Sequence, residues 1–155
     1  MALKTRGFAH RIDISAAPSR VWGVLCGPAM MPLWAGVGAR VKPQTGGHWS
    51  VAPMPGLTRE AVIDVFDPPR RLRLIFLTPP ELPTFDGAVV EDVLLDTEGG
   101  NTVVRLLCSG MPDLPQWSPY YGKVRMSAER SLARLKVLCE QRERMAQSTA
   151  GKVTP

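Results

Sequence analysis

SPYYGKVRMSAERSLARLKVLCEQRER, residues 118–144, is the stretch on which the fold turns. Val124, Ala128, Leu132, Leu135 and Leu138 recur in it at steps of four, four, three and three. That is the spacing of one face of an α-helix. Ser118 suits an N-cap, and Pro119 suits the first helical position, where its missing N–H costs nothing. From Pro119 to Arg144 such a helix measures roughly 39 Å at ~1.5 Å per residue. No other segment has the length to cover a sheet.

The segments upstream read as that sheet. In Phe8–Ser15, Phe8, His10, Ile12 and Ile14 fall on one face and Arg11, Asp13 and Ser15 on the other. Such alternation marks a half-buried strand. Pro18 opens a short helix with Val21, Trp22 and Leu25 as its stripe, and Gly27-Pro28 closes it. Ala29–Leu33 reads as a second short helix, weakened by Pro32. Further strands follow at Ala39–Lys42, His48–Ala52, Thr58–Phe66 and Arg71–Leu77. Pro79, Pro80 and Pro83 make Thr78–Gly87 a loop. Ala88–Thr97 and Asn101–Ser109 flank Glu98-Gly99-Gly100, a hairpin signal. About seven strands joined by short turns favour an antiparallel sheet. The fold class is therefore α+β. A curved sheet wraps the C-terminal helix, and two short helices follow the first strand.

With 155 residues, 45% hydrophobic and 21% charged, the chain suits one folded domain. We expect an N-terminal extension at 1–7, a single domain at 8–146 and a polar, fraying tail at 147–155. Met1–Gly7 has no apolar stretch behind Lys4 and Arg6, and does not read as a secretory signal. No apolar run approaches the ~20 residues that span a bilayer. Cys26, Cys108 and Cys139 are odd in number, far apart and free of CxxC spacing. Reduced thiols in a cytoplasmic protein fit this pattern better than disulfides or zinc.

The net charge of +5 is unevenly spread. Residues 1–50 hold six Lys/Arg against one Asp, residues 51–121 five against ten acidic residues, and residues 122–155 eight against three. The basic end interleaves with Glu129, Glu140 and Glu143, as a solvated helix face does. No nucleic-acid or membrane partner is expected.

Four stretches carry a family resemblance. Ile12-x-Ile14-x-Ala16-x-Pro18-x-x-Val21-Trp22 resembles the opening of the START-like (SRPBCC) superfamily. It is most similar to the branch named for homology to activators of the heat-shock-protein ATPase, which is polyketide cyclase-like in fold. Gly46-Gly47-x-Trp49, Asp67-Pro68-Pro69-Arg70-Arg71-Leu72, and Gly100-Asn101-Thr102 followed by Ser109-Gly110 resemble its turns. The resemblance runs from about Phe8 to Glu140. It implies the helix-grip fold, with an apolar cavity between the sheet and the last helix. It fixes no activity, because the matching positions are turns and core. One departure matters. Members often carry Gly-Trp shortly before the Leu-x-x-Leu of that helix, where this chain has Ser127 and Ala128 before Leu132 and Leu135. The missing indole should enlarge the cavity unless Trp34, Trp117 or Tyr121 refills it.

There is no GxSxG, P-loop, HExxH or dinucleotide-binding GxGxxG motif. One constellation emerges from the hairpin. If Thr97 faces Thr102, then Leu95 faces Val104, Val93 faces Leu106 and Glu91 faces Cys108, all on the inner face. In the family fold, His10 lies on the neighbouring strand. His10, Glu91 and Cys108 are thus catalytic candidates, or a polar head-group site. A Glu91 buried there would have to be protonated or paired. The alternative is a solvent-facing Glu91 and a Cys108 that simply packs. No metal and no cofactor are expected, since no close-spaced ligand pair exists.

Trp34, Trp49, Phe76, Trp117 and Tyr121 are read as cavity wall or plain core, alongside Val93, Leu95, Val104, Leu106, Val124, Ala128 and Leu132. Met30, Met31, Met54 and Met111 are placed near the mouth. The leading functional expectation is binding of a small hydrophobic or amphipathic molecule, in a carrier, sensor or regulatory role. It calls for a cavity of roughly 300 Å³ or more. The alternatives are a cyclase/aromatase-like or hydrolase-like enzyme using His10, Glu91, Asp92 or Arg105, and a co-chaperone-like interaction module. A homodimer is left open.

Overall fold

Seven segments of the computed structural model, which describes residues 3–152, are strands, and most of them alternate buried and outward side chains. These are β1 (Thr5–Ile14), β2 (Arg40–Val41), β3 (His48–Met54), β4 (Leu57–Asp67), β5 (Arg71–Phe76), β6 (Val89–Glu98) and β7 (Asn101–Pro112). Helices α1 (Pro18–Cys26) and α2 (Met31–Ala35) follow β1. A single 3₁₀ turn, Pro115–Trp117, leads into α3 (Ser118–Lys152). The sheet order is β1-β7-β6-β5-β4-β3-β2, antiparallel throughout. Chain order gives every neighbour except β1, which returns to pair with β7.

The curved sheet packs one face against α3, α1 and α2, giving the helix-grip fold. On α3, Val124, Ser127, Ser131, Leu132, Leu135 and Cys139 are buried, and Ala128 and Leu138 half-buried. The stripe is therefore wider than the apolar residues alone suggest, because two serines share it.

The β6–β7 register is the expected one: Thr97 opposes Thr102, Leu95 Val104, Val93 Leu106 and Glu91 Cys108. Gly99 and Gly100 take φ of 59° and 84°, which a two-residue hairpin of the primed type requires. The second helix lies two residues later than expected, at Met31–Ala35, because Pro32 sits in its first turn rather than its interior. The first strand begins at Thr5, inside the expected extension, whose residues 1–2 lie outside the described residues. At the other end α3 continues to Lys152. Of the expected tail 147–155, residues 153–155 lie outside the described residues.

Candidate functional site

Beneath α3, the sheet and helix do not quite meet. Trp49, Val51 and Pro53 of β3, Leu74 and Phe76 of β5, Val93 of β6 and Leu106 of β7 form the floor of a cavity. Leu25, Trp34 and Ala35 close one side, and Ser127, Ala128, Ser131 and Leu132 of α3 form the roof. Trp34 and Trp49 stand 6.1 Å apart with planes inclined at 53°. The Trp34 indole is pinned by its Nε1–H to the Val24 carbonyl at 3.0 Å. Arg134 of α3 holds this wall shut: its Nε donates to the Trp34 carbonyl at 3.0 Å and its Nη2 to Ser131 Oγ at 3.1 Å.

The cavity measures about 60 Å³. That corrects the expectation of roughly 300 Å³ or more. The physical reason is that its walls include two indoles, Trp34 and Trp49, whose bulk leaves little room beside Ala128.

Two charged walls remain, Arg59 and Glu91, each 5% exposed. In β4, Leu57, Arg59, Ala61 and Ile63 are buried while Thr58, Glu60, Val62 and Asp64 are exposed. Strand alternation thus drives a guanidinium inward. Its Nη1 donates to Glu91 Oε2, its Nε to Tyr120 Oη at 3.4 Å, and its Cζ lies 3.6 Å from the centroid of the Phe76 ring. Burial works against the charge of Arg59, but Glu91 and then Tyr120 outweigh it, so its pKa lies above the ordinary value. The third nitrogen, Nη2, is buried with no hydrogen-bond partner among the described residues.

The structure sorts the other candidates. Glu91 points inward opposite Cys108, but its partner is Arg59. Cys108 is buried in the core and does not line the cavity, its thiol pushed up to about 12 by burial and then by Glu91. His10 does not join them. It shares the inner face of β1 with Phe8 and Ile12, but α3 covers that strand, and His10 Nε2 meets the Arg125 carbonyl at 3.1 Å. The His10/Glu91/Cys108 cluster is therefore replaced by Arg59/Glu91/Tyr120. Asp92 and Arg105 lie on the opposite face, paired with Arg71 and Asp96. Of the expected walls, Trp34, Trp49, Phe76, Glu91, Val93, Leu106, Ala128 and Leu132 line the cavity. Leu95, Val104, Trp117, Tyr121 and Val124 do not. Leu95 and Val104 are core further along the β6–β7 hairpin, toward its turn, and Val124 is core one turn before the roof. Trp117 packs on Phe85 and Tyr120, and Tyr121 donates to the Gly7 carbonyl at 2.7 Å. Met31 and Met111 are fully buried core rather than rim. Among the described residues no group of three or more His, Cys, Asp or Glu could hold a metal, and no helix is long and apolar enough to cross a membrane.

A profile of the family described as activator of Hsp90 ATPase homolog 1-like protein matches residues 15–140. The chain belongs to this family. Its fold recurs in protein MLL2253 from Mesorhizobium loti, with a TM-score of 0.74 at 20% identity over 88% of this chain and 98% of that one. The Aha1 dimer from Colwellia psychrerythraea superposes with a TM-score of 0.68 at 17% identity, covering 87% and 96%. CalU16 from Micromonospora echinospora does so with 0.63 at 16% identity, covering 94% and 87%. At these identities the likeness is one of fold. No curated protein matches by sequence.

Proposed function

We propose that this chain binds a compact, largely apolar small molecule between its sheet and α3. The observation that carries the reading is the cavity itself, walled by apolar side chains from β3, β5, β6, β7 and α3. Buried protein interiors ordinarily close such gaps. At about 60 Å³ the space suits a ligand of a few heavy atoms, while a larger one displaces the Trp34 wall.

Native mass spectrometry of the purified protein, followed by denaturing extraction, tests this beside the variant Ala128→Leu. The extra methyl groups fill the roof of the cavity. Wild type should carry or take up an apolar molecule, and Ala128→Leu should lose it while remaining folded. Uptake unchanged in the filled variant, or no uptake by wild type from a library of apolar fragments, overturns the reading.

Self-association is a second, compatible reading. Leu33 and Val137, 62% and 56% exposed, flank one groove with Ala133 and Leu138, and a structural neighbour is described as a dimer. Light scattering of wild type and Val137→Lys should show a dimer reduced to monomer. A wild-type monomer at tens of micromolar sinks it.

A further inference from the structure

We infer that Arg59 is the polar anchor of the cavity, and that the molecule it takes is a neutral carbonyl compound rather than an acid; this rests on the binding reading above. Arg59 is a cavity wall with three donor nitrogens, and the structure accounts for two. Nη1 is used by Glu91 and Nε by Tyr120. Those two contacts and the Phe76 ring, whose centroid is 3.6 Å from Cζ, hold the guanidinium in place. That leaves Nη2, buried and without a protein acceptor among the described residues. A buried donor with no acceptor is costly, and that cost is recovered when an oxygen is brought to it. The other walls are almost all hydrocarbon, so the matching molecule has an apolar body and one acceptor.

Charge decides which acceptor. The positive charge of Arg59 is already compensated by Glu91 inside the same buried site. A carboxylate delivered to Nη2 brings a second negative charge with no second cation among the cavity's walls. Two carboxylates around one guanidinium in a low-dielectric site repel, and the surplus charge has no water to solvate it. A ketone, ester or amide oxygen accepts the same hydrogen bond and adds no charge. Both serines of the roof are already engaged: Ser127 donates its hydroxyl to the Val124 carbonyl at 3.0 Å, and Ser131 Oγ accepts from Arg134 Nη2 at 3.1 Å.

Three probes of four heavy atoms each, matched to a space of about 60 Å³, separate the alternatives: acetone, isobutene and acetate. Each is titrated into ¹³C-methyl-labelled protein, with the cavity methyls of Val93, Leu106 and Leu132 as reporters. The companion protein is the double variant Arg59→Met/Glu91→Leu, which removes both charges together and so leaves neither one stranded. The double variant should weaken acetone roughly tenfold or more, while isobutene changes by less than about threefold. Wild type should take the carboxylate more weakly than the ketone. The Arg59 guanidinium proton signals of wild type should move with acetone and not with isobutene, which tests the anchor even if the double variant does not fold. Equal weakening of both neutral probes, or unmoved guanidinium signals, overturns the anchor and leaves the cavity reading standing. Tighter binding of the carboxylate overturns the neutral-ligand assignment. Failure of every probe to shift the wild-type methyls brings down the cavity reading and this inference with it.

Discussion

Arg59 and Glu91 are worth more to each other than to the fold. Each charge has left water, and the attraction between them chiefly offsets that desolvation. Removing one partner is therefore the severe change. Arg59→Met strands a carboxylate in an apolar site and should cost about 3–5 kcal/mol. Glu91→Gln strands the guanidinium and should cost a similar amount. The double variant Arg59→Met/Glu91→Leu should be more stable than either single one, because nothing charged remains to be compensated. Urea unfolding of the four proteins measures this directly. Strict additivity of the single costs would mean that the two side chains are stabilised by other groups. The same residue shows what a sequence conceals. The phase of β4 was readable, since Leu57, Ala61 and Ile63 mark the inner face and Arg59 falls in step with them. Residue type argues the other way, because arginine is seldom fully buried. The register of β6 on β7 places Glu91 inside, and a buried carboxylate calls for a cation. Asking which inward-phased residue could supply that cation leads to Arg59.

Elements whose boundaries depend on backbone rules are legible, and those placed by tertiary contact are less so. The hairpin register follows from two consecutive glycines and strict alternation, so every β6–β7 pair is predictable from the residues. The face of α3 follows from its period, yet Ser127 and Ser131 in that face are invisible to an apolar count. His10 shows the limit from the other side. Its face and neighbouring strand are predictable, but the passage of α3 over β1 is not, and that passage gives it the Arg125 carbonyl instead of Glu91. The short helix α2 depends on Gly36, which ends it with φ of 105° and comes against β3. A Cβ there would lie 1.9 Å from the Ala52 carbonyl oxygen. Gly36→Ala thus combines a disfavoured backbone region with a backbone clash, and α2 must lift off β3. The expected cost is roughly 3 kcal/mol or more, the upper end for a strained backbone. Gly38→Ala shares the positive φ, at 87°, but meets nothing within 4 Å, so it should cost roughly 1 kcal/mol. The Trp34 indole N–H signal, tied to the Val24 carbonyl, should shift in the first variant and hold in the second. Equal costs would mean that the close approach to Ala52 contributes nothing.

At the scale of the whole molecule, α1, β7 and α3 feed one continuous core, and each carries one cysteine into it. Cys26, Cys108 and Cys139 are 4%, 4% and 0% exposed. Burial pushes each thiol from an ordinary value near 9 up to about 12. A folded-state pKa raised in this way means that the folded protein holds these protons more firmly than the unfolded chain does. Their contribution to stability is complete below about pH 9 and drains away as the pH rises toward 12. At pH 8 the native thiols are almost entirely protonated and out of reach, so alkylation requires opening. Because the three lie in one core on three different elements, the opening that exposes one should be the cooperative unfolding that exposes all. Iodoacetamide labelling at pH 8, read by intact mass, should therefore show molecules with no adduct or three, and few with one or two. Raising the pH from 9 toward 11 should lower the unfolding midpoint and speed labelling together. A dominant single-adduct species would mean that one element opens alone, and peptide mapping would name it. If that element carried Cys26, the helical wall beside Trp34 would be separable from the rest of the core, and the cavity would have a way to admit a ligand larger than the space it now encloses.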